Sequence, residues 1–239
     1  MLKQNIISET SLIILAGGLG NRIKTVSRDK PKCLIEINGK PFIYHQLSLL
    51  KEKGVKKIIV ATGHKSEAVI EFFDGYNDPE LEITLSHDGP NPLGTGGAIK
   101  KTINLLSEPF LFTYGDTLLL NDYQPLFENY NGICTMMVYK NENKYDTSNV
   151  SFVNDLVFYS KSKINPSANY IDYGVSLISK KCFEAFSGKF DLAEILEKLS
   201  IDKKITGVEA EQRFYEIGTP QGLLKTEKYI VNNTPKLRP

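Results

Sequence analysis

The stretch that decides the fold is Ser11-Leu-Ile-Ile-Leu-Ala-Gly-Gly-Leu-Gly-Asn-Arg22, close to the start of the chain. Residues 11–16 form a short apolar run, which predicts a strand buried on both faces. Glycines follow at once, and they allow a tight turn in which backbone N–H groups approach a phosphate or a base. A glycine-rich loop at the carboxyl end of a parallel strand is where open α/β sheets bind ligands.

Strand and helix patterns alternate through the first half of the chain. Further strands are predicted at residues 57–61, 81–86 and 109–114, and helices from Pro41 to Gly54 and at residues 65–73 and 97–106. Alternation at this spacing implies βαβ units. We therefore predict an α/β fold with a Rossmann-like, doubly wound sheet, mostly parallel or mixed, flanked by helices.

The second half of the chain is less regular. Strands of mixed direction are predicted at residues 132–139, 150–153, 156–159 and 171–178, and helices at residues 192–199 and 221–231. The tail at residues 232–239 is polar and is expected to fray. The pattern changes near Asp122, so we predict one domain over residues 1–239 with two halves, at about 11–121 and 122–231.

Composition excludes several classes of protein. The chain has 239 residues and a formal net charge of +1, which removes the main electrostatic argument for a nucleic-acid partner. Its 3 cysteines and 3 histidines are scattered, which argues against a disulfide framework and a zinc site. No apolar run is long enough to span a bilayer, and the first residues lack a signal-peptide core. We therefore expect a cytoplasmic protein that binds neither nucleic acid nor membrane.

Two basic residues follow the glycines. The loop is not a P-loop, because no Gly-Lys-Ser/Thr follows, and it lacks the third glycine of a dinucleotide fingerprint. Arg22 lies directly after the glycines, and Pro31 stiffens the backbone before Lys32. A planar guanidinium and a compact ammonium suit two different phosphates of a nucleoside triphosphate.

The same residues carry a resemblance to a known family. The segments LAGGLGNR (residues 15–22) and KPK (residues 30–32) resemble the signature of nucleotidyltransferases that act on sugar 1-phosphates. The spacing of the arginine and the second lysine is most similar to that of heptose and mannose 1-phosphate guanylyltransferases. Later segments resemble, in order, the family's nucleobase loop (93–98), metal-binding turn (114–117), sugar-binding strand (173–175) and closing motif (214–220).

The resemblance implies a nucleotide site and a reaction. In such a reaction a substrate phosphate oxygen attacks the α-phosphorus of the triphosphate, and pyrophosphate leaves. A phosphate monoester is largely a dianion at neutral pH, so no general base is needed. Arg22 would meet the β- and γ-phosphates and Lys32 the α-phosphate, which makes these two the predicted catalytic residues. The implied nucleotide-binding set is Leu15, Ala16, Gly17, Gly18, Gly20, Arg22, Lys32, Gly94 and Thr95.

The resemblance also implies a metal. Asp116 follows a predicted strand and Glu216 lies in the closing motif, where many relatives carry Asp. Mg²⁺ prefers one or two carboxylates together with phosphate oxygens, so these two residues are the predicted ligands. His87 and Asp88, just before the nucleobase loop, are assigned no role.

The sugar side departs from the family pattern. The usual Glu-Lys-Pro is absent, and either Lys161 or Lys163 would meet the sugar phosphate. Asp172 stands where the family usually has Asn, followed by Gly174. The implied sugar-phosphate site is therefore Lys161, Asp172 and Gly174, with the identity of the sugar open.

The predicted function is transfer of a nucleotidyl group from an NTP, GTP first, to a sugar 1-phosphate, with Mg²⁺ as cofactor. A cytidylyltransferase acting on a non-sugar phosphate such as phosphocholine is one alternative. A non-catalytic nucleotide-sugar regulator is another, although such a protein need not keep both cations and both carboxylates. A Rossmann dehydrogenase is disfavoured by the incomplete glycine pattern. The sequence leaves self-association into a homo-oligomer open.

Overall fold

The computed structural model describes residues 2–18, 23, 30–63, 66–161 and 168–233. Nine strands in this part of the chain form one mixed sheet. They are β1 (Ser11–Leu15), β4 (Lys57–Thr62), β5 (Glu82–His87), β6 (Phe110–Tyr114), β8 (Cys134–Lys140), β9 (Val150–Val153), β10 (Leu156–Tyr159), β11 (Tyr170–Ile178) and β12 (Ile205–Glu209). Two short pairs lie apart from it: β2 (Glu36–Ile37) with β3 (Lys40–Pro41), and β7 (Thr117–Leu118) with β13 (Tyr215–Glu216).

Helices connect and cover these strands. They are α1 (Leu2–Glu9), α2 (Phe42–Glu52), α3 (Ser66–Asp74), α4 (Gly94–Lys101), α5 (Gln124–Glu128), α6 (Leu192–Ile201) and α7 (Pro220–Asn233). Short 3₁₀ turns occur at Lys32–Leu34 and Lys180–Phe183.

The sheet changes direction between the two halves of the chain. Its strand order is β5-β4-β1-β6-β11-β8-β12-β10-β9. The strands β5, β4, β1 and β6 run parallel, whereas β11 runs antiparallel to both β6 and β8. The predicted α/β class and mixed sheet are confirmed. Because parallel strands end at the same edge, the segments after β1, β4 and β6 meet there.

The core lies on both faces of the sheet. In β1, Ile13 and Leu15 belong to one buried cluster, while Leu12 and Ile14 belong to the cluster on the other face. This division follows from the two-residue period of a strand, and it explains why residues 12–15 are apolar without alternation.

Some elements were not predicted from the sequence. These are α1, α5 and β12, together with the short pairs. The helix α4 also begins earlier than predicted, at Gly94, although glycine is a poor helix former. The amides of Gly96 and Gly97 both donate to the carbonyl of Phe190, at 3.1 and 3.2 Å. A tertiary contact therefore satisfies N–H groups that the helix itself leaves unpaired.

Candidate active site

A cavity of about 280 Å³ opens at the carboxyl ends of β1, β4 and β6. Most of the predicted nucleotide-binding residues line it. These are Leu15, Ala16, Gly17, Gly18, Lys32, Gly94 and Thr95, and the predicted metal ligand Asp116 joins them. Gly20, Arg22 and Lys163 lie outside the described residues, so their predicted roles stay predictions.

The glycine segment after β1, of which the structure describes Gly17 and Gly18, packs closely against the end of β4. A Cβ atom on Gly17 would lie 3.1 Å from the amide nitrogen of Gly63, and one on Gly63 would lie 2.9 Å from the carbonyl oxygen of Gly17. Two backbones thus come together where any larger side chain would collide. The close approach leaves the backbone of the segment as a wall of the cavity.

Lys32 and Asp116 form an ion pair at the cavity wall. The distance from Lys32 Nζ to Asp116 Oδ2 is 2.9 Å, and the two side chains are 16% and 29% exposed. Lys32 begins the 3₁₀ turn Lys32–Leu34, whose Cys33 and Leu34 are buried and anchor it in the core. Both charges therefore reach the cavity from firmly packed backbone.

The turn that carries Asp116 is tied to its neighbours through its backbone. The amide of Gly115 donates to the carbonyl of Leu15 at 3.0 Å, and the amide of Ile217 donates to the carbonyl of Asp116 at 2.9 Å. The first bond fixes the turn to the glycine segment. The second fixes it to the closing motif through the pairing of β7 with β13.

The carboxylate of Glu216 accepts hydrogen bonds from residues at the start of α7. One of its carboxylate oxygens accepts from the amides of Gly218 and Thr219, and the other accepts from Thr219 Oγ1 at 2.7 Å. A carboxylate at a helix N-terminus is stabilised by the unpaired amides and by the helix dipole. The longer Glu, in place of the family's usual Asp, thus caps the helix that the closing motif begins.

The two predicted metal ligands, Glu216 and Asp116, both have a carboxylate oxygen close to Gly218. A Cβ atom built on Gly218 would lie 2.9 Å from Glu216 Oε2, 3.5 Å from Asp116 Oδ2 and 3.6 Å from Lys32 Nζ. No group of three or more His, Cys, Asp or Glu side chains suited to a metal occurs among the described residues. Two carboxylates beside a phosphate site fit a divalent cation that takes its other ligands from phosphate and water.

Thr95 contacts a residue that sequence reasoning missed. Its hydroxyl donates to Asp191 Oδ1 at 3.1 Å and accepts from the amide of Leu192 at 2.9 Å. Asp191 lines the cavity and caps α6 in a capping box with Glu194. The signal was present in the sequence, because Asp followed three residues later by Glu before an apolar run marks a helix start.

Lys161 forms an ion pair with the carboxylate of Asp191, which lines the cavity. Its Nζ lies 2.8 Å from Asp191 Oδ2, and both side chains are about half exposed. Partial burial raises the pKa of Asp191, but the hydrogen bonds from Lys161 and from the amide of Ala193 outweigh it and leave the pKa below its usual value. Lys161 therefore lies beside the cavity, although it is not one of the residues that form its wall.

Asp172 and Gly174 lie on an irregular part of β11. The register between β11 and β8 shifts between Asp172 and Ser176, and Gly174 has a φ of +105°, which only glycine adopts readily. Asp172 Oδ1 accepts from the amide of Gly174 at 3.0 Å. Burial raises the pKa of Asp172 to about 6, and this hydrogen bond opposes the rise. Neither residue contributes to the cavity wall.

Further cavity residues were absent from the predicted set. They include Thr62, Asp88, Pro92 and Tyr114. Asp88, which was assigned no role, accepts from the amide of Leu93 at 3.0 Å and so fixes the segment before α4. Burial raises the pKa of Tyr114 strongly, and the neighbouring charge of Asp172 adds to the effect. Tyr114 begins the segment that resembles the metal-binding turn, whereas nothing in the local sequence separates Thr62 and Pro92 from ordinary strand and loop residues.

No described helix is both long and apolar enough to pass through a membrane.

The family model described as "Nucleotidyl transferase" matches residues 11–146 of the chain. D-glycero-alpha-D-manno-heptose 1-phosphate guanylyltransferase of Campylobacter jejuni is 33% identical, with 92% of this chain and 99% of the relative covered. The enzyme of the same name from Aneurinibacillus thermoaerophilus is 32% identical, with 91% and 97% covered.

Solved structures show the same likeness. Crystal structures of HddC from Yersinia pseudotuberculosis, one of them complexed with GMP-PN, superpose with a TM-score of 0.77 and 26% identity. They cover 92% of this chain and 99% of that protein. The predicted family is thereby confirmed, and its members generally use a divalent metal ion. The chain belongs to the nucleotidyl transferase family.

Proposed function

We propose that the chain transfers a guanylyl group from GTP to a sugar 1-phosphate and releases pyrophosphate. The observation that carries the proposal is the Lys32–Asp116 pair, which stands at the wall of a cavity built from the glycine segment. The choice of GTP and of a heptose 1-phosphate as first substrates is supported by the names of the two guanylyltransferase relatives and by the GMP-PN complex.

The proposed reaction is one displacement at phosphorus. An oxygen of the sugar phosphate forms a bond to the α-phosphorus, and the bond from that phosphorus to the bridging oxygen of pyrophosphate breaks. The attacking phosphate is largely a dianion at neutral pH, so no proton has to be removed. Catalysis then depends on alignment and on neutralising the charge of the phosphates.

Lys32 has the right position for this task. Lys32 and the glycine segment line the same cavity, so backbone N–H groups and a cation can act on one bound triphosphate. Arg22, expected to meet the leaving phosphates, follows this segment in the sequence. Mg²⁺, when bound, would neutralise phosphate charge and orient the triphosphate. Asp116 would be its main protein ligand, with Glu216 beside it.

The sugar phosphate is placed on the side of β11 and Lys161. In this proposal Lys161 meets the substrate phosphate, and Asp172 accepts hydrogen bonds from substrate hydroxyl or amino groups. The bond from Lys161 to Asp191 supports this assignment, because it holds the ammonium beside the cavity. The nucleobase is placed against Gly94 and Thr95, next to Asp88.

The test is a matrix of four NTPs against a panel of phosphates. The panel contains heptose, mannose, glucose and glucosamine 1-phosphates together with phosphocholine, and pyrophosphate release is measured in each well with Mg²⁺ present. We expect the highest kcat/KM with GTP and a sugar 1-phosphate. Turnover with CTP and phosphocholine alone would overturn the proposal, and no turnover in any well would contradict it as well.

A further inference from the structure

Gln46 is a buried polar residue that the proposed reaction does not use. It lies on α2 and is only 3% exposed. Its Nε2 donates to the carbonyl of Tyr114 and to the carbonyl of Thr117, both at 2.8 Å. The two acceptors flank the Gly115-Asp116 turn, so a single amide group ties the two ends of that turn together.

The turn depends on these bonds. The carbonyl of Tyr114 is the last of β6 and that of Thr117 is the first of β7. Both bonds are partly buried, so losing one costs free energy that a bond to water replaces only in part. The hydroxyl of Thr117 adds a further bond to the carbonyl of Tyr114, at 3.1 Å. Among the described residues, Gln46 therefore makes two of the three side-chain hydrogen bonds to the backbone of this turn.

The same helix also supports Lys32. The amide of Phe42, at the start of α2, donates to the carbonyl of Ile35 at 2.8 Å. Cys33 and Leu34, which follow Lys32, belong to the same buried cluster as Ile43 and Leu47 of α2. The helix α2 thus supports both partners of the 2.9 Å ion pair. It holds the turn of Lys32 through apolar packing and the turn of Asp116 through Gln46.

Packing alone does not account for a glutamine at this position. The Oε1 atom of Gln46 is buried and has no hydrogen-bond partner in the described part of the chain. An unpaired buried carbonyl is costly, and a methionine of similar length would fill the space without that cost. The amide is therefore retained for the two bonds that its Nε2 makes.

We infer that Gln46 is a positioning residue, which sets the carboxylate of Asp116 relative to Lys32 and thereby sets the affinity for the divalent cation. The inference rests on the proposed function, because that function gives Asp116 its role as metal ligand. Outer groups that orient a ligand typically change metal affinity by 10- to 100-fold when they are removed.

The test compares Gln46→Met with Thr135→Val. Thr135 is fully buried at the opposite end of the sheet, where its hydroxyl donates to the carbonyl of Asn129 at 3.1 Å and pairs with Thr206. Its loss costs stability without touching the cavity. Mn²⁺ binding in the presence of a non-hydrolysable GTP analogue is measured by electron paramagnetic resonance, and Mg²⁺ dependence of pyrophosphate release is measured in parallel.

We expect Gln46→Met to raise the Mn²⁺ dissociation constant about tenfold and Thr135→Val to leave it unchanged. An unchanged constant in Gln46→Met, an equal rise in both variants, or no Mn²⁺ binding by the wild type would each overturn the inference. If Gln46→Met does not fold, Thr117→Val, which loses only the weaker bond to Tyr114, should raise the constant by a smaller factor, and no rise would overturn it. Failure of the proposed function would instead appear as absent turnover in a wild type that binds Mn²⁺.

Discussion

The two sides of the site are built differently. Lys32 and Asp116 are held by buried backbone, by strand pairing and by one another at 2.9 Å. On the proposed sugar side, the Lys161 side chain is about half exposed and pairs with Asp191, while its amide donates to Glu197 at 2.8 Å. Asp172 lies on β11, where the register against β8 shifts. We propose from this difference that the phosphate side fixes the reaction and the sugar side fixes the substrate.

Removing Lys32 should have the largest effect. Lys32→Ala should lower kcat by about 100- to 1,000-fold, because its ammonium would oppose charge that develops at the α-phosphate. Lys30→Ala is the matched control, since Lys30 is exposed and, within the described part of the chain, forms its ion pair with Glu36 at 2.9 Å. Steady-state pyrophosphate release measures both variants. Near-normal turnover in Lys32→Ala would remove this residue from the catalytic set.

Asp116→Asn should have the second-largest effect on activity. The amide keeps the shape but loses the charge that binds the cation, so the Mg²⁺ concentration for half-maximal activity should rise at least tenfold. Asp122→Asn is the control, an exposed carboxylate a few residues later that accepts from the amide of Gln124 at 3.1 Å and lies outside the cavity wall. Wild-type activity that persists in excess chelator would refute the metal assignment.

The phosphate side was the more predictable one. The apolar run before the glycines and the Lys-Pro-Lys segment are local signals for the cavity wall and Lys32, and the Gly-Asp turn after β6 is the local signal for Asp116. The helix start at Asp191 can be read from the sequence, but its place at the cavity depends on a contact between distant segments, the bond from Thr95 to Asp191. Contacts of this kind cannot be read from a single sequence. The register shift in β11 also prevents the alternation of residues from predicting the face on which Asp172 lies.

Stability should depend on pH through Asp172. Burial raises the pKa of Asp172 to about 6, above the value near 3.9 expected in the unfolded chain. Its contribution to stability is therefore complete below about pH 4 and is lost as the pH rises through 6, because a buried charge must then form. Asp172→Asn should gain about 3 kcal/mol over the wild type at pH 7.5 and much less at pH 4. Urea unfolding at the two pH values measures this, and an equal difference at both would be contrary to it.

Lys161→Ala should have the smallest effect on stability. Its pair with Asp191 is exposed, and such pairs contribute less than about 1 kcal/mol. The KM for the sugar phosphate should nevertheless rise several-fold while the KM for GTP stays constant. Lys204→Ala, which breaks an exposed pair with Asp202, provides the control. A KM for the sugar phosphate that does not move would transfer this role to Lys163.

The central claim, that the phosphate side fixes the reaction and the sugar side the substrate, is tested most directly by one measurement. The kcat/KM for each sugar phosphate of the panel is determined in Lys32→Ala and in Asp172→Asn, with GTP saturating. We predict that Lys32→Ala lowers every value by a similar factor and preserves the order of the sugars. Asp172→Asn should change that order, because an amide can donate where an ionised carboxylate can only accept. An unchanged order in Asp172→Asn, or a changed order in Lys32→Ala, would contradict the claim.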